Sequence, residues 1–264
     1  MLSEILTFIF FVLIGLEIRE GLQRPKDAIV PAFSALGGML LPALIFILLV
    51  PGSRAWAVSM PTDVALAIGA LSILGKRVNP AVRLFLLTLA VADDFFSLVV
   101  IGIFFREDLH LDSAIYTLGA AAIGFILPLR HRLIAMLSPV ATFLIIPVYI
   151  FINLLTQLDF SVSTEKISTA IVIARVVGKV LGITLFAYLI TRFTKLQLPP
   201  ALNLSEVVGV GFLAGMGLTV SIVIAEITLH TENELAQVRM GLFFAAIISG
   251  LLGLLWLKRF PASL

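Results

Sequence analysis

Apolar residues dominate this chain in long stretches, each closed by a short cluster of basic, acidic, proline or glycine residues. A helix needs ~20 mostly apolar residues to cross a bilayer. Stretches of that kind place predicted spans at about residues 5–22, 27–50, 56–75, 83–105, 113–129, 133–155, 167–191, 206–229 and 236–257. Runs such as Phe143 to Leu155 do not alternate between apolar and polar positions, so the pattern of a transmembrane barrel is excluded. The expected fold is therefore an all-α polytopic membrane protein of about nine spans, with residues 1–264 forming a single membrane domain. Composition agrees: 60% of residues are hydrophobic, only 13% are charged, and the mean hydropathy is +1.14. The first apolar stretch has no basic leader before it and no small-residue cleavage site after it, so it does not read as a signal peptide.

Charge placement orients the bundle. One set of alternate loops holds Arg19, Arg24, Lys26, Lys76, Arg77, Arg83, Arg130, Arg132, Arg192, Lys195, Lys258 and Arg259; the opposite set holds only Arg54, Arg106, Lys166 and Arg239. The positive-inside rule then puts the C-terminus in the cytoplasm and the N-terminus outside. An outward start on so short a leader points to a preceding span that this sequence lacks. The pI near 9.1 reflects this topology rather than affinity for nucleic acid, since the formal charge is only +2. With no cysteine, thiolate chemistry and disulfides are excluded. His110, His131 and His230 fall in loops or at span ends, without the spacing of metal ligands.

Removing the loop charges leaves Asp63, Asp93, Asp94, Arg175, Lys179 and Glu226 at membrane depth. A charge at the bilayer centre costs at least ~2.5 kcal/mol, so such residues mark an ion or substrate path more often than a mere helix lock. Asp93 and Asp94 sit mid-span between Leu86-Leu87-Thr88-Leu89-Ala90-Val91-Ala92 and Phe95-Phe96. Burial and a neighbouring anion both favour the protonated carboxyl, and a nearby cation favours the ionised one. Such a pair can exchange protons for a hard cation, which prefers oxygen ligands. Asp63 follows Pro61 and Thr62 and precedes Gly69, a context that reads either as a simple helix cap or as a break within a span. Gly211, Gly215 and Gly217 mark a second region that reads as a break or as close helix packing. Two broken spans at corresponding places in two halves, residues 27–105 and 167–257, point to an inverted-repeat transporter with its site at the breaks. Lys179 is the natural counter-charge, because a buried ammonium can lose its proton. Arg175, one turn earlier, is weighed as a partner for Glu226 or as a side chain reaching towards the interface.

These residues carry a resemblance. Phe10-Phe11-Val12-Leu13-Ile14-Gly15-Leu16-Glu17, Gly37-Gly38-Met39-Leu40-Leu41-Pro42-Ala43, Thr62-Asp63 followed by Ala67-Ile68-Gly69, Asp93-Asp94, Gly178-Lys179-Val180-Leu181-Gly182 and Gly215-Met216-Gly217-Leu218-Thr219-Val220-Ser221-Ile222 occur in order. Together they resemble the NhaA family of sodium/proton antiporters through most of the chain. The resemblance implies inverted three-helix repeats with two interrupted, crossing helices. It also implies electrogenic exchange of cytoplasmic Na+ or Li+ for external protons across a bacterial inner membrane, serving pH and sodium homeostasis, with no cofactor. It implies that Asp94 is the principal cation ligand and that Asp93 is a proton carrier and ligand, paired with Lys179 when no cation is bound. Thr62 and Asp63 would sit at the first break, with Asp63 offsetting the positive half-helix ends and Lys179 the negative ones.

The chain also departs from the family pattern. Its first span matches the family's second, and between Phe105 and Ile115 about two middle spans are missing. The leading hairpin through which family members make dimer contacts has no counterpart here, so a homodimer stays possible but the resemblance does not imply one. Arg175 and Glu226 stand where apolar residues would be anticipated. A competing reading is a truncated, non-transporting homologue that keeps only the core fold. A symporter of organic anions is opposed by the paired aspartates. An intramembrane aspartyl protease is opposed by the Ala90-Val91-Ala92 context before Asp93, and the chain carries no Gly-rich phosphate loop for ATP.

Overall fold

The computed structural model describes residues 8, 9, 12, 16, 25–75, 78–105, 119–126, 146–199 and 202–260. Ten α-helices are defined among them: α1 (Pro25–Leu49), α2 (Val64–Ile73), α3 (Pro80–Phe104), α4 (Ala120–Ile126), α5 (Ile146–Asn153), α6 (Lys166–Ile173), α7 (Lys179–Phe193), α8 (Leu204–Ala214), α9 (Thr219–Thr228) and α10 (Glu232–Leu257). A 3-10 turn, Arg54–Ser59, precedes α2, and a π-helical turn, Ala174–Gly178, joins α6 to α7 without interrupting the rod. No strand occurs among the described residues.

Five segments are long and apolar enough to cross a membrane: Ala28–Leu49, Arg54–Ile73, Pro80–Phe104, Lys166–Phe193 and Glu232–Leu257. The pair α8 and α9, bent by 51° at its break, makes a sixth when taken as one span. The expected span at 5–22 falls almost wholly outside the described residues, as do large parts of those at 113–129 and 133–155. Of the latter two, α4 and α5 are described and are helical.

Local chemistry sets the helix ends. Asn79 caps α3 through Ala81 N, with Pro80 at the first helical position where no N–H is needed. Thr231 caps α10 through Glu234 N, and Glu232 and Glu234 in that first turn suit its positive end. Glu206 reaches back to Asn203 N at the start of α8 and also accepts from Asn79 Nδ2 at 3.4 Å, tying the first turns of α8 and α3 together. Gly75 ends α2 at φ 59°, a left-handed conformation that suits glycine.

The bundle is apolar towards its surroundings and, within an apolar core, holds its mid-span charges. Leu40, Leu44, Ile47 and Leu48 line an exposed stripe of α1, and Leu251 and Leu255 one of α10, while the charged residues at mid-span are buried. That is the reverse of a water-soluble helix. Small residues allow the central helices to approach closely. The backbones of α1 and α7 meet where Gly37 faces Gly182 and Pro42 faces Gly178: a Cβ on Gly182 would collide with the Gly37 carbonyl, and one on Gly178 would lie 2.9 Å from Pro42 Cα. A Cβ on Gly211 of α8 would lie 2.9 Å from Val180 Cα, so α7 is clasped from two sides. The glycines of two sequence motifs therefore exist for each other.

Gly182→Ala should force α1 and α7 apart at a cost of about 1–3 kcal/mol. Gly102 on α3 has open space where a Cβ would stand. Gly102→Ala should hold or raise stability by about 0.5–1 kcal/mol. Thermal melts of the two detergent-solubilised variants check this contrast, and equal melting temperatures would refute the close-packing account.

Candidate functional site

Both interrupted spans break at the centre of the bundle. In the first, the 3-10 turn ends at Ser59, Met60 to Asp63 run outside any helix, and α2 starts at Val64. In the second, α8 ends at Ala214, Gly215 caps it, and α9 starts at Thr219. Each break leaves carbonyls without helical partners on one side and N–H groups on the other, equivalent to about half a negative and half a positive charge. In hydrocarbon no water answers those groups, so side chains must.

Asp63 answers the positive ends. Its Oδ1 accepts from Leu66 N at 3.3 Å, capping α2, and its Oδ2 accepts from Thr219 Oγ1 at 2.8 Å and Thr219 N at 3.4 Å, at the start of α9. The capping and broken-span readings of Asp63 are thus one arrangement, in which a single carboxylate serves the N-termini of both half-helices.

Arg175 answers the negative ends. The guanidinium, wholly buried, donates from Nη1 to Val58 O at 2.8 Å and to Ser221 Oγ at 2.8 Å, from Nε to Gly215 O at 3.2 Å, and from Nη2 to Pro61 O. Its planar fork of donors suits this divergent set, which a single ammonium could not reach. This corrects the sequence-based pairing of Arg175 with Glu226: Glu226 lies exposed on α9 with Arg239 as the cation acting on it, and Arg175 is turned into the crossing. Gly217 makes room for the contact, because a Cβ there would collide with Arg175 Nη2 and Pro61 O.

Lys179 lies one turn beyond Arg175, also wholly buried. Its Nζ donates to Thr62 Oγ1 at 2.6 Å and forms a salt bridge with Asp93 Oδ2 at 3.0 Å. The side chain assigned by resemblance to the negative half-helix ends therefore meets a hydroxyl and a carboxylate, and Arg175 meets the carbonyls. Asp94, buried beside Asp93 on α3, is near enough to act electrostatically on Lys179. The other oxygen of Asp93, Oδ1, has no hydrogen-bond partner among the described residues.

Of the residues singled out from sequence, Thr62, Asp63, Asp93, Asp94, Lys179 and Arg175 thus belong to one buried cluster, and Glu226 does not. Sequence reasoning missed Thr219 and Ser221 as partners of Asp63 and Arg175. Both stand in a quoted motif, and two hydroxyls just after a glycine-rich break were the available signal.

Removing the guanidinium leaves several buried carbonyls unanswered beside three carboxylates. Arg175→Leu should therefore destabilise the protein by about 3–5 kcal/mol, with Arg175→Lys recovering only part. Melting of the purified variants decides the point; a leucine variant as stable as its parent would show that the breaks do not depend on this contact.

The sequence model of the family described as "Na+/H+ antiporter 1" matches the chain over residues 1–131 and 127–257. Among similar curated proteins, the Na(+)/H(+) antiporter NhaA 2 of Aliarcobacter butzleri is 28% identical over 318 aligned residues, covering 96% of this chain and 80% of that protein. The NhaA antiporters of Actinobacillus pleuropneumoniae serotype 7 and Salmonella typhimurium are each 29% identical, covering 95% and 97% of this chain and 80% and 82% of those proteins. An alignment of 318 residues exceeds the 264 of this chain, so that relative carries residues inside the matched region that this chain lacks, in keeping with the expected internal shortening. Matched by the family model over nearly its whole length, this multi-pass helical membrane protein belongs to the Na+/H+ antiporter 1 family.

Proposed function

We propose that this chain is a sodium/proton antiporter of a bacterial inner membrane, moving Na+ or Li+ outward in exchange for protons through the cluster at the two breaks. The observation that carries this reading is the Lys179–Asp93 salt bridge beside Asp94 at the bundle's centre. An ammonium on Asp93 occupies the charge that a metal cation would need. Binding of Na+ at Asp93 and Asp94 competes with Lys179 for the same carboxylate, so cation and proton occupancy become mutually exclusive. Asp94 is the principal ligand, Asp93 the shared ligand and proton carrier, and Thr62 the hydroxyl that steadies Lys179. Asp63 and Arg175 hold the scaffold and take no part in the exchange.

The order of elements supports a pair of inverted three-helix repeats. Residues 27–105 cover an unbroken helix, a broken one and an unbroken one, and residues 167–257 repeat that order. In such a design the half-helix ends meet at mid-membrane, and rocking of the repeats opens the site alternately to each side. We assign the C-terminus to the cytoplasm from the basic-loop asymmetry. The non-transporting alternative is not favoured, because Thr62, Asp63, Asp93, Arg175 and Lys179 each have a chemical partner inside the cluster.

Cation-induced dequenching of a pH-sensitive dye in inverted vesicles with an acidic lumen tests the proposal. Addition of Na+ or Li+ should raise fluorescence, and Asp94→Asn should lower the exchange rate roughly 100-fold, the consequence of losing about 3 kcal/mol of attraction between the carboxylate and the bound cation. A correctly inserted parent protein without any Na+ or Li+ response would overturn the antiport reading.

A further inference from the structure

Several hydroxyls on the spanning helices of this protein satisfy themselves on their own backbone. Ser34 donates to Val30 O, Thr191 to Ala187 O and Thr228 to Ile224 O, each four residues back and each at 2.8 Å. Ser97 of α3 does not. Its Oγ is buried, 1% of the residue is exposed, and it has no hydrogen-bond partner among the described residues.

Its position gives that hydroxyl a use. Ser97 follows Asp93 by four residues and Asp94 by three, the two spacings that share one face of a helix. Ser97 therefore stands on the helix turn next to the one that bears both carboxylates. On the latter turn Asp93 Oδ1 also has no hydrogen-bond partner among the described residues. Ser59, Ser168, Thr184 and Ser249 also have buried hydroxyls without a hydrogen-bond partner among the described residues, and none of them stands three or four residues from Asp93 or Asp94.

We infer that Ser97 is a further ligand of the transported cation, its Oγ joining the carboxylates of Asp93 and Asp94 in an all-oxygen set suited to Na+ and Li+. The inference rests on the antiport reading and adds a residue to its site. A neutral oxygen supplies coordination without charge, so it strengthens cation binding while leaving the charge balance with Lys179 unchanged. It is also an oxygen that a proton gains little from, so it favours the metal cation over the proton in their competition.

The test compares Ser97→Ala and Ser97→Thr with the full-length parent in two measurements. In the vesicle assay, alanine should raise the apparent KM for Na+ and Li+ roughly five- to tenfold with the maximal rate retained. Threonine, which keeps the oxygen, should stay within about twofold of the parent. In detergent without Na+ or Li+, the alanine variant should melt at or above the parent, because it deletes an unpartnered buried hydroxyl, while the rise in melting temperature on adding Li+ should shrink. An active parent and an alanine variant of equal KM would overturn the ligand role and leave antiport standing. If the parent shows no transport, antiport fails, and the Li+-induced stabilisation still decides: its reduction by alanine supports the Ser97 site, and its absence in the parent, or an equal shift in both, overturns it.

Discussion

The fold turns on answering the open ends of two broken helices in a place without water. Four half-helix ends meet inside the bundle, and each would be prohibitive if left bare. Asp63 takes the N–H groups of α2 and α9 together, and Arg175 takes the carbonyls of Val58, Pro61 and Gly215. Each of these side chains touches both spans, so the two breaks stabilise one another and neither can be understood alone. The ridge of small residues at Gly37, Gly178, Gly182 and Gly211 has the same origin, because only closely approaching backbones bring Arg175 within reach of both breaks.

With that role filled by a permanently charged guanidinium, the second cation is free for a different one. Lys179 sits on the same helix one turn later, and its two described contacts are Thr62 Oγ1 and Asp93 Oδ2. The π turn of Ala174–Gly178 lies between them. Its wider winding lets residues four apart line up more nearly along the axis than an α-helix does, which keeps both cations directed at the crossing. One holds architecture and one meets the proposed exchange site, and their chemical difference suits the division: Arg cannot deprotonate in a protein, whereas Lys can.

Much of this was legible in the residues. Mid-span charges stood out because hydrocarbon tolerates so few of them, and Asp63, Asp93, Asp94 and Lys179 were each identifiable on that ground alone. Pro61 and the Gly211-Gly215-Gly217 series marked both breaks, although capping and close packing explained the same letters equally well. The structure shows that the alternatives coincide: Asp63 is a cap within a broken span, and Gly211 and Gly217 are contact points in one. Arg175 was legible as a buried charge and illegible as to its partner. Glu226 was an available acid in a nearby span, and the true acceptors are backbone carbonyls, which every residue carries and no sequence pattern distinguishes.

What the sequence by itself determined is the solvent of this protein, its helical class, the candidate places for helix breaks and which residues carry charge into the membrane. All of these follow from transfer energies and backbone sterics, which act residue by residue. Only the tertiary structure decided how the charges pair. Arg175 and Lys179 have equal sign, similar length and the same helix face, and the choice of which meets carbonyls and which meets Asp93 depends on ångström-scale positions of Val58, Pro61, Gly215 and Asp93 on three other segments. That choice separates the scaffold from the proposed exchange site, and it arises from packing.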